Sequence, residues 1–299
     1  MTRTEVAFGS HGATCRAWRY APADGGDGAT RPCVVMAHGF GATRDASLAP
    51  YAERFAAAGL HVLVFDYRHF GASDGEPRQL VSVRRQLQDY AAAVHFAHAL
   101  AGVDPARVAV WGTSFSGGHA LVTAATVPGV AAAVCQCPMM DGLAAVLNIA
   151  RYAGIGQLLR LTGHGLRDAA LAPLGRAHYV ATVGKPGAFA VMTSEDADEG
   201  YRRLAPPDFR FEVAARIGLG VGLYRPVRYA SRVSCPVLVQ VCERDSVAPV
   251  AAAERALHLL GTRGEARRYP IGHFEPYFGA HFESSVADQV DFLRSRLAP

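Results

Sequence analysis

Long apolar segments are missing from this sequence. No run of apolar residues among its 299 positions reaches the length that a membrane span needs, about 20 residues. The first residues, MTRTEVAFGSHGATC, contain no hydrophobic core of the kind found in a secretory signal peptide. We therefore expect a cytoplasmic protein with no membrane partner.

Spacings that bind metals, cofactors or redox partners are also missing. The closely spaced cysteines Cys135 and Cys137 have a single residue between them, which fits neither a zinc site nor a redox CxxC pair. The twelve histidines form no HxH or HExxH motif, and there is no GxGxxG or P-loop pattern. We expect no metal and no cofactor, and we expect the six cysteines to be buried free thiols.

Lysine is nearly absent, since Lys185 is the one lysine among 30 basic residues, a bias typical of GC-rich genomes. The net charge is +4 and the arginines are dispersed, so no nucleic-acid partner is expected. Residues 151–232 nevertheless hold 12 basic and 7 acidic residues. This excess is typical of a solvated surface, and alternatively it would attract an anionic substrate. The acidic cluster at 194–200 is interpreted as a helix start, or alternatively as a grip for a free amino group.

A regular alternation of strands and helices is present. Apolar runs of the kind buried on both faces of a sheet alternate with helical patterns, which predicts an α/β fold with a doubly wound, mostly parallel sheet. Residues 142–230 break the rhythm, with short helical patches and no buried-type strand. We therefore predict core segments 1–141 and 231–299 with a helical lid, 142–230, inserted between them. A loop is expected at 23–29, strands at 4–8, 13–20, 33–37, 61–65, 107–111, 130–135, 236–242 and 266–270, and helices at 48–58, 80–101, 115–126, 248–260 and 284–296.

A serine lies at one of the strand-to-helix junctions. The segment 108–118, VAVWGTSFSGG, runs from apolar residues through Gly112 and Ser114 into a small-residue helix. A nucleophile elbow needs this pattern, because the sharp turn that lifts the serine hydroxyl off the sheet has room only for small neighbours. Ser114 is preferred as the nucleophile because Gly112 precedes it by two positions. Ser116 is the alternative nucleophile, in the register SFSGG.

An acid and a histidine follow later strands in the order that a serine nucleophile needs. Asp245 comes after the strand expected at 236–242, and His273 comes after the strand expected at 266–270. His273 would take the proton of Ser114, and Asp245 would orient the imidazole. Asp141 follows the strand after the elbow and is the alternative acid.

These residues resemble those of the α/β-hydrolase superfamily, and the resemblance covers essentially the whole chain. The matching parts are His38-Gly39-Phe40, the loop 66–75, the elbow 112–118, Asp245 and Gly272-His273. Within the superfamily the sequence is most similar to bacterial serine hydrolases related to X-Pro dipeptidyl peptidases and dienelactone hydrolases. The resemblance implies an oxyanion hole made of the backbone N–H groups of Phe40 and Phe115. The sequence departs from the family at Ser116, where glycine is usual.

The reaction implied is hydrolysis of a small-molecule carboxylic ester or lactone through an acyl-enzyme intermediate. A thioesterase or acyl-transfer enzyme of a biosynthetic pathway would use the same residues and is the alternative. A peptidase and a non-catalytic binding protein on the same fold are weaker readings, and a homodimer is left open. Six apolar residues of the lid are expected to line an acyl pocket or to pack the lid on the body: Ile155, Leu158, Leu159, Leu161, Phe189 and Met192.

Overall fold

The computed structural model describes residues 2–22 and 29–298, so most of the expected loop 23–29 lies outside the described residues. One large sheet contains β1 Thr2–Ser10, β2 Ala13–Ala21, β3 Arg31–Ala37, β4 His61–Phe65, β5 Val103–Thr113, β6 Val130–Gln136, β9 Val237–Cys242 and β10 Gly264–Tyr269. Their spatial order is β1-β2-β4-β3-β5-β6-β9-β10. The pairs β1–β2 and β2–β4 are antiparallel and the other neighbours are parallel, which confirms the predicted mostly parallel sheet.

Helices cover both faces of this sheet. The helices α2 Val83–His98, α3 Phe115–Thr126 and α7 Val250–Leu260 pack on one face, and α1 Ala49–Ala57 and α8 Gly279–Arg296 pack on the other. Every residue of β4 is therefore buried. A strand that is covered on both sides shows a continuous apolar run rather than alternation, and this is why the central strands could be read from the sequence.

Residues 142–230, called the insertion below, lie between β6 and β9. They contain α4 Gly142–Ala153, α5 Ile155–Leu171 and α6 Ala197–Leu204, together with several 3₁₀ turns. The expectation of short helical patches was wrong for α5, which has 17 residues. Two strands of three residues each, β7 Tyr179–Ala181 and β8 Glu212–Ala214, form a separate antiparallel pair that was not expected. Three residues are too few to show a strand period.

The remaining differences between the predicted and the observed secondary structure concern where helices and strands begin and end. The last helix begins at Gly279 rather than 284, and α2 is shorter at both ends than the expected 80–101. All six cysteines are buried and free, as predicted. Across residues 2–22 and 29–298, no helix has both the length and the apolar character needed to cross a bilayer.

Candidate active site

Ser114 lies between the end of β5 and the start of α3, in a backbone conformation that L-residues rarely adopt. Its φ is 54° and its ψ is −118°. Its N–H donates to the carbonyl of Gln136 over 2.9 Å, and its own carbonyl accepts from the N–H of Met139 over 2.9 Å. The turn also requires glycine at 112, where a Cβ would lie 1.9 Å from the carbonyl oxygen of Ser116. The sharp turn expected of an elbow is therefore present and fixed by its neighbours.

His273 lies between Ser114 and Asp245 in a continuous chain of hydrogen bonds. Its Nε2 is 3.0 Å from Ser114 Oγ, and its Nδ1 is 2.6 Å from Asp245 Oδ2. The other oxygen of Asp245 accepts from the backbone N–H groups of Val247, over 2.8 Å, and Ala248, over 2.6 Å. These bonds aim the carboxylate at the imidazole, so His273 can take a proton from Ser114 while Asp245 stabilises the resulting charge.

The charge state of His273 is set by two opposing effects. Burial by itself lowers the pKa of an imidazole, because it removes water from the charged form. The Asp245 carboxylate, together with Cys137 and Asp196, acts in the opposite direction, and their combined effect exceeds that of burial and raises the pKa of His273 to about 9. The site is therefore built to hold the proton that Ser114 would release.

The predicted oxyanion hole consists of the backbone N–H groups of Phe115 and Phe40, whose segments both adjoin Ser114. Phe115 is the first residue of α3, so its N–H has no acceptor inside the helix. The loop that carries Phe40 comes close to the serine, since a Cβ on Gly39 would lie 3.3 Å from Ser114 Cβ. Tyr201, on α6, donates its hydroxyl to the carbonyl of Phe40 over 2.8 Å. The insertion thereby helps to fix the loop next to the serine.

Ser116, the alternative nucleophile, is fully buried. Its hydroxyl donates to the carbonyl of His38 and lies 2.7 Å from the hydroxyl of Tyr67. Because the Ser116 proton is used on the carbonyl, Tyr67 must be the donor in the second bond. Ser116 therefore ties α3 to the loop after β3, and the structure does not bring it to the histidine.

Asp141, the alternative acid, is occupied at the start of α4. Its Oδ1 accepts from the backbone N–H groups of Leu143, over 3.0 Å, and Ala144, over 3.4 Å, which makes it the N-cap of the helix. Its Oδ2 also pairs with Arg225 over 2.6 Å. The structure places Asp141 in a cap and an ion pair, whereas it places Asp245 against His273.

A cavity of about 230 Å³ opens beside Ser114, between the body and the insertion. Phe40 and Phe115 form its wall on the body side, with their rings edge to face at 5.4 Å. None of the described residues that line it is charged, and its polar members are Ser114, Tyr152 and Thr162. Apolar residues of the insertion close the cavity, among them Val146, Ile149, Leu158, Leu161, Ile217 and Val221.

A second cavity, of about 30 Å³, lies on the histidine side of Ser114. His273, Phe274 and Tyr277 are part of its wall, and none of these three lines the larger cavity. Ser114 lines both cavities. A carbonyl carbon at Ser114 would therefore have a wide apolar space on one side and a narrow space near the histidine on the other.

The expectation that the apolar residues of the insertion line a pocket or pack on the body holds for some of them. Leu158, Leu161 and Met192 line the larger cavity. Ile155 and Leu159 do neither, because their side chains are 69% and 68% exposed. The sequence expectation was wrong for these two, since the spacing of a helix does not tell which of two apolar faces is covered.

Comparisons with known proteins place the chain in a family. The sequence profile of the family described as serine aminopeptidase, S33, matches residues 28–273. The chain belongs to this family. Quorum-quenching protein AidA of Acinetobacter baumannii (strain MDR-ZJ06) is 42% identical over 299 residues, which cover 99% of this chain and 95% of that protein. Polyketide transferase grgF of Penicillium sp. is 34% identical over 313 aligned positions, covering 100% of this chain and 98% of that protein.

A solved structure supports the fold. The crystal structure of the α/β hydrolase GrgF from Penicillium sp. sh18 superposes with a TM-score of 0.83, covers 100% of both chains and is 23% identical in the structural alignment. The fold predicted from the sequence, an α/β-hydrolase fold, is thus confirmed, and the protein is an enzyme of the α/β-hydrolase type.

Asp196 is a residue of this site that the sequence reading did not single out by itself. It lies one residue before α6, whose first turn contains Asp198 and Glu199, so the acidic cluster does begin a helix. The carboxylate of Asp196 accepts a hydrogen bond from the hydroxyl of Ser246, the residue after Asp245. No local pattern could have revealed this contact, because 50 positions separate the two partners.

Possible metal ligands among the residues that the structure describes are not grouped into a candidate site. In the described ranges, no group of three or more His, Cys, Asp or Glu side chains converges in a way that could hold a metal ion. The residues at Ser114 offer a hydroxyl, an imidazole and a carboxylate, which together suit acyl transfer.

Proposed function

We propose that the protein is a serine hydrolase that cleaves a small-molecule carboxylic ester or lactone. One observation carries this proposal: the hydrogen-bonded chain Ser114–His273–Asp245 opens onto an uncharged apolar cavity. A nucleophile, a base and an orienting acid are the three parts that acyl transfer through a serine needs. The intact set argues against a non-catalytic binding protein on this fold.

The reaction would pass through a covalent acyl-enzyme. His273 takes the proton of Ser114 as Oγ attacks the carbonyl carbon, and the oxyanion that forms is held by the N–H groups of Phe40 and Phe115. Each such donor typically lowers the barrier by about 3 kcal/mol. The tetrahedral intermediate then collapses, and His273 gives the proton to the departing oxygen. Water activated by the same histidine releases the acid and restores Ser114.

The two cavities give the substrate an orientation. Because His273 must protonate the leaving group, that group has to lie on the histidine side of Ser114, where the space is narrow. The acyl chain would then occupy the larger cavity, which takes apolar groups. A compact leaving group on an apolar acyl chain fits this division.

The uncharged lining of the larger cavity also argues against a peptide substrate and against an anionic acyl group. An aminopeptidase needs a carboxylate for the free amino group, and an anionic acyl group needs a cation, but the described residues that line this cavity supply neither. The arginine excess of residues 151–232 therefore does not act on the acyl group. An uncharged ester or lactone is favoured over a peptide, although the family is named for aminopeptidases.

The second candidate function is that of a thioesterase or an acyl-transfer enzyme. A relative named polyketide transferase matches this chain over its whole length, and another relative, aligned over about the same length, is named for quorum quenching. The same acyl-enzyme serves both reactions, and the attacking group, water or another nucleophile, decides between them.

Other parts of the proposal rest on the sequence and on the placement of the insertion. We propose that residues 142–230 act as the lid over the body formed by 1–141 and 231–299, since they close the cavity. A cytoplasmic location, a bacterial origin and a homodimer remain predictions.

Labelling with a fluorophosphonate tests the nucleophile. The wild type and the Ser116→Ala variant should be labelled, and Ser114→Ala should not. Labelling that survives Ser114→Ala but is lost in Ser116→Ala would move the nucleophile to Ser116, and an unlabelled wild type would refute the serine-hydrolase proposal. Matched oxyester, lactone and thioester panels with one acyl chain, assayed with and without an added alcohol acceptor, then separate hydrolysis from transfer.

A further inference from the structure

The large apolar side chains that are exposed concentrate on the insertion. In the part of the chain that the structure describes, ten such side chains are exposed, and nine of them belong to residues 142–230. Seven follow one another along α4, α5 and the 3₁₀ turn Ala172–Leu174. An exposed apolar surface of this kind typically marks an interaction site. We call it, with the arginines of the same stretch, the α4–α5 face: Leu143, Leu147, Tyr152, Ile155, Leu159, Leu166, Leu174, Arg151, Arg160, Arg167 and Arg176.

On α5 the exposed apolar residues form a stripe along one side of the helix. Ile155, Leu159 and Leu166 are separated by four and seven positions, so they share a face, and they are 69%, 68% and 58% exposed. Leu161 lies on the buried side of the same helix and lines the larger cavity. The helix thus has apolar side chains on two sides, and the structure covers only one of them.

Every exposed charge of this stretch is positive. Arg151, Arg160, Arg167 and Arg176 are exposed. The one acidic residue between 142 and 176 is Asp168, which is fully buried and pairs with Arg216 over 2.7 Å. Four unopposed positive charges repel a second copy of the same face and attract an anionic surface. This charge pattern argues against the α4–α5 face being an interface between two copies of the chain.

We propose that the α4–α5 face binds the surface of a bilayer that contains anionic phospholipid. Leucine and isoleucine side chains would enter the interface, and the arginines would meet the phosphate groups, as in helices that lie in the plane of a membrane surface. The sequence expectation of no membrane partner rested on the lack of spanning segments, and a helix pair that lies on the surface needs none.

The α4–α5 face lies next to the larger cavity, so binding to a bilayer would bring that cavity close to lipid-dissolved substrates. Tyr152 and Thr162 are exposed, and both line the larger cavity, so the cavity lies directly beneath the face. An acyl substrate dissolved in the bilayer would then reach Ser114 without its chain crossing bulk water. This last step rests on the proposed function, whereas the binding of the face to the bilayer does not.

Flotation with lipid vesicles tests the binding separately from activity. The full-length protein should float with phosphatidylcholine vesicles that contain about a third phosphatidylglycerol, and less with pure phosphatidylcholine or at high salt. The double variant Arg160→Gln/Arg167→Gln should bind about 25-fold more weakly, at about fivefold per arginine. Leu159→Gln/Leu166→Gln should lose about tenfold or more on both kinds of vesicle.

Matched controls lie at the edge of the sheet where the parallel strands begin, whereas Ser114 lies at the edge where they end. Leu259, at the end of α7, and Arg263, just before β10, are exposed, so Leu259→Gln and Arg263→Gln should bind like the wild type. All variants should hydrolyse a water-soluble short ester at wild-type rates. Vesicle binding by a protein that is inactive on every ester would refute the proposed function alone.

Three outcomes would overturn the bilayer proposal. The first is a wild type that does not float with anionic vesicles, and the second is equal flotation of the wild type and both double variants. The third is association that the double variants abolish but that needs no lipid. A dimer seen by analytical ultracentrifugation would then assign the face to a second copy, and binding to an acidic acyl carrier protein would assign it to a protein partner.

Discussion

The carboxylate of Asp196 accepts a hydrogen bond from the hydroxyl of Ser246, and this contact joins the insertion to the loop that carries Asp245. Asn148, on α4, makes a second connection by donating to the carbonyl of Ser246 over 2.9 Å. Two separate segments of the insertion therefore hold the residue next to the acid. The geometry of the His273–Asp245 pair depends on where the insertion sits.

The activity of the wild type should rise with pH well above the ordinary titration range of histidine. The general base is the neutral imidazole. Because the pKa of His273 is raised to about 9, the neutral form becomes the major species only near that pH. We expect kcat/KM for an uncharged ester to increase from neutral pH toward an inflection near about 9. An inflection at or below 6.5, the ordinary pKa of the group, would contradict this reading of the site.

The variant Asp196→Asn should shift that inflection toward lower pH. Asp196 raises the pKa of His273 through its negative charge, and asparagine removes the charge while keeping an oxygen that can accept from Ser246. The matched control is Asp198→Asn, since Asp198 lies on the same helix and pairs with the exposed Arg202. The same shift in both variants, or no shift in Asp196→Asn, would mean that the charge of Asp196 has no specific effect on the histidine.

Two variants should distinguish the roles of the candidate acids Asp245 and Asp141. Asp245→Asn is expected to lower kcat by about 10⁴, because the amide oxygen stays on the N–H groups of Val247 and Ala248 and the NH₂ group then faces the imidazole, which fixes the wrong tautomer. Asp141→Ala should keep kcat but lower the free energy of unfolding by about 1 kcal/mol or more, because α4 loses its N-cap and Arg225 loses its partner. Steady-state kinetics and thermal unfolding measure the two effects. A collapse of kcat in Asp141→Ala, with wild-type stability, would reverse the assignment.

The variant Ser116→Ala should remain active and be less stable. It leaves the buried hydroxyl of Tyr67 without its acceptor, which costs about 1–3 kcal/mol of stability. Tyr67→Phe is the matched variant, because it removes the same bond but leaves Ser116 bonded to His38. We expect Tyr67→Phe to be the milder of the two in urea unfolding, and both to keep fluorophosphonate labelling. The opposite order of stability would contradict the role given to Ser116.

Acyl-chain preference should follow the size of the larger cavity. Each buried methylene contributes about 0.8 kcal/mol, so kcat/KM should rise about fourfold per carbon until the cavity is full. Ala145→Leu fills part of this space and should move the optimum to shorter chains. Ala251→Leu, at an exposed position of α7, is the control and should leave the series unchanged. A flat series in the wild type would show that the acyl chain binds elsewhere.

The centre of the sheet could be predicted because its strands contain short apolar runs covered on both faces. Ser114 and Asp245 could be placed for the same reason, since each follows the end of such a strand. His273 instead follows β10, a partly buried strand at the edge of the sheet, and it was recognised by its position after β9 along the chain. Local sequence carries this information, and the parallel sheet brings the ends together.

The insertion could not be predicted in the same way. Its two strands have three residues each, and its helices are apolar on more than one side, so the pattern did not tell Leu161 from Leu159. Contacts such as Asp196 with Ser246 or Tyr201 with Phe40 join positions far apart in the chain. They depend on packing that no local period encodes.

The catalytic residues and most of the walls of the larger cavity come from different segments of the chain. Ser114, His273 and Asp245 all come from the body, whereas Val146, Leu158, Ile217 and most other residues around the larger cavity come from residues 142–230. Exchange of that one continuous segment between related proteins would therefore transfer acyl selectivity as a module. Such a chimera should keep its reaction rate if the exchanged piece retains partners for Ser246, here Asn148 and Asp196.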